Sequence, residues 1–207
     1  QHAGLGVYSF CMCPGGQVVC ASSEPDHLVT NGMSAFARRE KYSNSAIVAS
    51  VDPAAHGIRS PLEALAFQRR FEALAFAAGG GGQVAPAQRA RDFLRDSPSA
   101  TLPPVTYRPG VRPADLNGIL PPLIAPALKA GLERFDRRIR GFVDKGVLIG
   151  LESRTSSPVR IPRDESCQSV STPGLYLLGE GAGYAGGIMT CALDALRFAR
   201  RVRSWRG

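Results

Sequence analysis

Residues Gly174–Ile188 read GLYLLGEGAGYAGGI. An apolar run, Gly174–Leu178, leads into closely spaced glycines and then into a second apolar run that starts at Ile188. That order predicts a strand, a loop where backbone comes close to something else, and the first turn of a helix. Gly181, Gly183 and Gly186 also fit the G-x-G-x-x-G spacing of a dinucleotide loop. The spacing is a weak signal alone, because the motif also requires a second strand ending in an acidic residue about 20 residues on. Arg206 stands at that distance, so the loop is not expected to open a nucleotide domain. It is not a P-loop, since no Gly-Lys-Ser/Thr follows. What is left is a helix N-terminus approached by glycines. Its free N–H groups carry about half a positive charge and favour an anion, either a pyrophosphate or a ring that turns negative on reduction. Glu180, at the carboxyl end of the expected strand, suits a sugar hydroxyl better than a phosphate. A tight turn that needs glycine only for packing is the alternative; the density of glycines favours ligand approach.

The bulk composition narrows the class. A chain of 207 residues, 44% of them hydrophobic, can bury one good core or two small ones. Apolar segments recur throughout, which argues against disorder. No apolar run reaches the about 18 residues of a membrane span. Gln1-His2-Ala3-Gly4 lacks the basic start of a signal peptide, so a cytoplasmic location is expected. The formal charge is +8, and 22 of the 25 cations are arginine. They cluster at Arg134, Arg137, Arg138 and Arg140, and at Arg197, Arg200, Arg201, Arg203 and Arg206. These clusters fit either an anion-binding surface or solvated helix faces. No aromatic residues interleave to form a stacking platform, so nucleic acid is not the expected partner. Cys11, Cys13, Cys20, Cys167 and Cys191 are an odd count, expected as reduced thiols. Cys11 and Cys13 fall on one face of a strand but lack zinc or C-x-x-C spacing; small apolar packing is the preferred role over redox chemistry. No metal site is expected.

Along the chain, Val7–Ala21 reads as a β-hairpin turning at Pro14-Gly15-Gly16. Asn31-Gly32-Met33-Ser34 reads as a turn and Ala46–Val51 as a buried strand. Ser60-Pro61-Leu62-Glu63 is a capping box that opens a helix to about Ala77. That helix carries EALAF twice, nine residues apart, so Phe67 and Phe76 face opposite sides. Gly79–Gly82 is a loop, Ala85–Leu94 a short helix, and Asp96–Pro113 irregular, proline-rich chain. Leu120, Ile124, Leu128, Leu132, Phe135, Ile139 and Phe142 mark a long helix over Ile119–Val143. Val147–Leu151 is a strand. The last helix runs from Ile188 to about Val202, with Ile188, Ala192, Ala195, Leu196, Ala199 and Val202 inward.

Several segments resemble, in order, a family of bacterial FAD-dependent dehydrogenase-like proteins. They are Ser9–Gly16 (SFCMCPGG), Asn31–Ser34 (NGMS), Asn44–Ala46 (NSA), Ala85–Gln88 with Asp92-Phe93, Arg154–Ile161 (RTSSPVRI) and Gly179–Ile188 (GEGAGYAGGI). The resemblance covers about Val7–Ala199. It implies an α+β / α/β chain: a substrate (cap) domain over residues 1–145, and over 146–207 the C-terminal strand-loop-helix of a two-domain FAD-binding fold. The N-terminal Rossmann segment of such proteins, with the GxGxxG loop that holds the ADP part of FAD, is not in this sequence. By the same resemblance, Gly179 and Glu180 meet the ribityl and pyrophosphate region, and Gly181, Ala182 and Gly183 belong to the same cofactor-binding loop. Gly186, Gly187 and Ile188 present N–H groups to the flavin's pyrimidine edge, and Arg154, Ser156 and Ser157 add donors near the isoalloxazine, unless they are surface hydroxyls at a turn. The function implied is that of the C-terminal fragment of an FAD-dependent oxidoreductase, with NAD(P)H as a plausible donor. The fragment alone is expected to retain no FAD and to be inactive without its missing partner segment. The substrate and the catalytic residues are not identified; His2, His27 and His56 fall in no matching motif. The rival is a basic, non-enzymatic module that binds nucleic acid or another anionic partner.

Overall fold

The computed structural model describes residues 5–204, with side chains as far as residue 202, so His2 and Arg206 lie outside the described residues. The N-terminal stretch forms one strand, β1 (Val7–Cys20), not a hairpin. Pro14-Gly15-Gly16 bends the chain without reversing it. The ladder slips between Phe10 and Cys13 and again between Cys13 and Gly16, and Cys11 and Gly15 have φ of 47° and 51°. Such bulges absorb extra residues and increase the local twist. A side chain at position 15 would meet the Arg38 carbonyl oxygen at 2.0 Å, so only glycine fits there.

Two antiparallel partners flank this strand. β2 (Thr30–Met33) pairs with residues Gln17–Cys20, and β3 (Tyr42–Ala49) with residues Val7–Gly16. Asn31-Gly32-Met33 is therefore ladder, not turn, because its backbone groups find partners on β1. β3 starts earlier than expected and stops at Ala49, leaving Val51 exposed.

The helix α1 (Pro61–Gly79) starts where its capping signals lie. The Ser60 hydroxyl accepts from the Glu63 N–H at 3.2 Å, while the Glu63 carboxylate accepts from the Arg59 N–H at 2.6 Å. A second small sheet has the order β5-β4-β6. Its centre is β4 (Ala85–Arg89), parallel to β5 (Val111–Pro113) and antiparallel to β6 (Val147–Ile149). The expected helix over Ala85–Leu94 survives only as α2 (Ala90–Leu94). Residues 85 to 88 are buried, and a central strand between two others satisfies their backbone better than an isolated short helix would. Gln88 is fully buried and uses both ends of its amide: Nε2 donates to Ser97 O at 2.8 Å, and Oε1 accepts from the Leu116 N–H at 2.9 Å.

The long helix is interrupted. α3 (Ile124–Arg138) ends at Ile139, Gly141 turns through a φ of 82°, and α4 (Phe142–Lys145) follows. Ile139 is consequently exposed, although Ile124, Leu128, Leu132 and Phe135 keep the inward stripe. Arg134, Arg137, Arg138 and Arg140 are solvated. The core gathers Leu28, Phe93, Leu116, Ala125 and Leu132.

The chain divides into two compact units, residues 1–57 with 68–153, and residues 58–67 with 154–207. Both small sheets lie in the first, which makes it mixed α+β. In the second, the expected strand Gly174–Leu178 is not formed. It makes isolated bridges and loop hydrogen bonds instead, Ser169 N–H to Leu175 O at 2.8 Å and Leu177 N–H to Cys167 O at 2.9 Å. A strand needs a neighbour along its edge, and the described residues of this unit supply only the short stretch Cys167–Ser169, too little to extend into a ladder. α5 (Ile188–Ser204) is present, but its expected inner face is not the one turned inward. Ile188, Ala192, Ala195, Leu196 and Ala199 are exposed, whereas Cys191, Asp194 and Phe198, with the expected Val202, form the covered stripe. Phe198 stacks on Tyr176 at a centroid separation of 5.0 Å.

Replacing Gln88 by leucine keeps the volume but strips two buried backbone groups of their partners. We expect Gln88→Leu to lose about 2–4 kcal/mol, at about 1–3 kcal/mol for each orphaned group. Urea unfolding followed by circular dichroism measures this; an unchanged midpoint contradicts it.

Candidate functional site

Within the second unit, the two sequence motifs Arg154–Ile161 and Gly179–Ile188 lie against each other. The Ile161 N–H donates to Ala182 O at 3.2 Å, and Arg160 Nε donates to Gly183 O at 3.0 Å. The Ser157 hydroxyl donates to Val159 O at 2.8 Å and lies 3.4 Å from Gly181 O. Gly183 makes the approach possible. Its φ is 81°, and a Cβ there would stand 2.4 Å from Val159 O and 2.8 Å from Arg160 Cα. The loop then closes on itself through Gly183 N–H to Glu180 O and Tyr184 N–H to Gly179 O.

A buried ion pair fixes the loop to α5. Arg163 reaches Asp194 with both arms of its guanidinium, Nη1 to Oδ2 at 2.8 Å and Nη2 to Oδ1 at 2.7 Å. Arg163 also donates to Leu177 O at 2.5 Å and lies over the Tyr184 ring at 3.8 Å. Asp194 accepts from the Gly179 N–H at 2.9 Å. The Arg163 hydrogen bonds, with help from Gly179, hold the Asp194 carboxyl down at about 2. This pair was not among the candidates read from the sequence. The available signal was an acidic residue inside the Ala/Leu-rich stretch of the last helix, at a position three after Cys191.

The packing leaves a cavity of about 260 Å³ lined by Ser156, Ser157, Arg160, Gly183, Tyr184 and Gly186, with Ala185. Four of the sequence candidates, Ser156, Ser157, Gly183 and Gly186, meet there. The others do not. Gly179 and Ala182 are buried and spend backbone groups on the unit itself, Gly181 is exposed, and Glu180 is half-buried. Arg154 does not line the cavity. Gly187 and Ile188 stand at the start of α5, and no acceptor among the described residues takes their N–H groups. That helix end is open, not plugged. Arg160, whose guanidinium sits 5.1 Å from the Tyr184 ring centroid, supplies the cavity's charge. A cation, two hydroxyls and nearby free amides together suit an anionic oxygen or an electron-rich ring edge.

The Asp194 pair dictates a stability prediction. Its folded pKa lies below the unfolded value of about 3.9, so its contribution is complete above about pH 5 and fades as pH falls toward 2. Asp194→Ala strands Arg163 and should cost about 3–5 kcal/mol at pH 7. The variant should also lose this part of the acid sensitivity and the hydrogen-exchange protection of the Gly179 amide. Thermal melts at pH 7 and pH 3.5, with amide exchange by NMR, check all three.

The family described as "FAD-dependent protein, C-terminal domain-like" matches residues 1–155, which takes in the first unit and stops before the glycine loop. A protein of Clostridium beijerinckii (strain ATCC 51743 / NCIMB 8052), which carries the name "Uncharacterized protein", is 46% identical over 200 residues. That alignment covers 95% of this chain and 38% of the relative, so the chain spans well under half the relative's length. With 155 of its 207 residues matched, the chain belongs to the FAD-dependent protein C-terminal domain-like family.

Proposed function

We propose that this chain is the carboxyl-terminal portion of an FAD-dependent oxidoreductase. Residues 1–145 serve as its substrate (cap) domain, and residues 146–207 are the last piece of its FAD-binding domain. The observation that carries the reading is the convergence of Ser156, Ser157, Arg160, Gly183 and Gly186 on one cavity beside an uncapped helix end. Two further facts support it: the family's description names FAD, and the relative is far longer than its aligned part.

The residues fit one end of the cofactor and not the whole of it. At about 260 Å³ the cavity is smaller than the about 300–1,000 Å³ of pockets that enclose complete ligands. It has room for a phosphate, a ribityl segment or a ring edge. Ser156 and Arg160 would donate to it, with Gly186, Gly187 and Ile188 offering amides, while the Ser157 hydroxyl, its hydrogen given to Val159 O, would shape the wall and Glu180 would accept from a ribityl hydroxyl. FAD, when bound, supplies two-electron redox chemistry. The role of this chain's groups is to bind, orient and stabilise negative charge. Preorganised amides and a fixed guanidinium interact more strongly with a reduced, anionic ring than with a neutral one, which raises the reduction potential. The remainder of the cofactor needs polypeptide outside this sequence.

The 207-residue chain purified alone should therefore be colourless. A yellow preparation with about one flavin per chain would overturn the division proposed here. In a polypeptide that also carries the missing FAD-binding segment, flavin absorbance should return. There, Arg160→Ala should weaken FAD binding about 10-fold or more, because it removes a charge-assisted donor worth about 1.5–3 kcal/mol.

A further inference from the structure

We infer that the first unit holds a separate binding site, a cavity of about 810 Å³, for a largely apolar small molecule with one hydrogen-bond-donating head, hydroxyl or amine, received at the end where Cys13, Asn44 and Glu152 lie. Every residue lining this cavity belongs to the first unit. Protein interiors tolerate few voids larger than a water molecule. A space of this size inside a folded unit falls instead in the range of ligand pockets. Its walls include Val18, Ile47, Phe93, Val105, Leu120 and Leu128. Apolar groups make up most of its surface, with Thr30, Tyr42, Ser43, Thr106 and Lys145 also on the lining.

One end differs. Cys13 and Asn44 pair across β1 and β3, and both approach Gly32, whose added Cβ would lie 2.2 Å from Asn44 Oδ1 and 3.5 Å from Cys13 Sγ. Both polar atoms of the Asn44 amide are shielded from solvent without a partner. Glu152 accepts no hydrogen bond and faces no cation among the described residues. Burial lifts its carboxyl to about 7, and the same burial, with Glu152 close by, lifts the Cys13 thiol. The thiol donates to Cys11 O at 3.3 Å, so it is held as a neutral wall group and not as a nucleophile. A carboxyl in apolar surroundings becomes settled only by losing its charge or gaining a donor. A ligand hydroxyl or amine provides that donor, whereas a phosphate or carboxylate would meet like charge. The cofactor's pyrophosphate is excluded from this end for that reason. Reading the occupant as the redox substrate rests on the proposed flavoprotein function; its binding does not.

The probe is N-phenyl-1-naphthylamine, an apolar arylamine whose fluorescence rises in apolar sites, titrated into the 207-residue chain without flavin. One saturable site is expected, with the probe displaced by octanol and octylamine but not by octanoate. Octylamine should compete about 10-fold or more weakly at pH 5.5 than at pH 8, as Glu152 takes up its proton. The other titratable side chains lining the cavity are Cys13, Tyr42 and Lys145. Glu152→Gln should flatten the octylamine profile while leaving octanol competition within about twofold, which separates Glu152 from these three. Leu128→Trp, with its fold checked by circular dichroism, should cut probe binding at least about 10-fold by filling the space. Absence of saturable binding, competition by octanoate equal to that of octylamine, or an unchanged pH profile in Glu152→Gln each overturns the assignment. None of these outcomes touches the flavin reading, which is judged on colour in the longer polypeptide.

Discussion

The Arg163 guanidinium, forked onto Asp194 with both bonds under 3 Å, ties three parts of the second unit together. It grips α5 through the carboxylate, the segment before the glycine loop through the Leu177 carbonyl, and the loop through the Tyr184 ring. Asp194 returns the tie by accepting from the Gly179 N–H. Among its described residues this unit has helix but no named strand. A charged, multiply bonded pair does what a strand ladder would do elsewhere. Two largely buried charges are costly to desolvate, and here each carboxylate oxygen meets one arm of the guanidinium, the geometry under which such a pair holds. Loop shape, and with it the cavity beside Arg160, follows from that engagement.

The cavity in each unit has chemistry opposite to that of the other. The one in the second unit is small and lined by hydroxyls, glycine backbone and a guanidinium. The one in the first unit is larger, mostly apolar, and has Glu152 as its one carboxyl. A guanidinium with amides selects negative charge; a carboxyl in apolar surroundings rejects it. One chain thus offers two environments that do not compete for the same molecule.

Much of the fold was legible where local rules dominate. The Ser60–Glu63 signals mark the start of α1, and the stripe from Ile124 to Phe135 marks α3. The errors arise where tertiary partners overrule local preference. Pro14-Gly15-Gly16 looks like a turn, yet the neighbouring β3 keeps the chain extended through bulges. Ala85–Arg89 has helical composition, yet two flanking strands claim it. In the second unit, the apolar residues of α5 suggested the wrong inward face, because the periodic pattern does not reveal that Asp194 is the buried anchor. For the site, spacing picked out Gly183 and Gly186, and the family resemblance picked out Ser156 and Ser157. Arg160 and Tyr184 passed unremarked, since an arginine among 22 carries no local mark of its position.

The bent course of β1 has a bearing on association between molecules. Over Val7–Gly16 its ladder runs to β3, and over Gln17–Cys20 to β2, so each stretch has a second edge that no other named strand covers. A straight, bare edge invites another chain to dock backbone to backbone and start a growing stack. The kinks near Cys11 and Gly15 break the even spacing of amides and carbonyls that such docking requires. The irregularity that disguised this strand as a hairpin thereby makes its edge a poor template for backbone-to-backbone stacking.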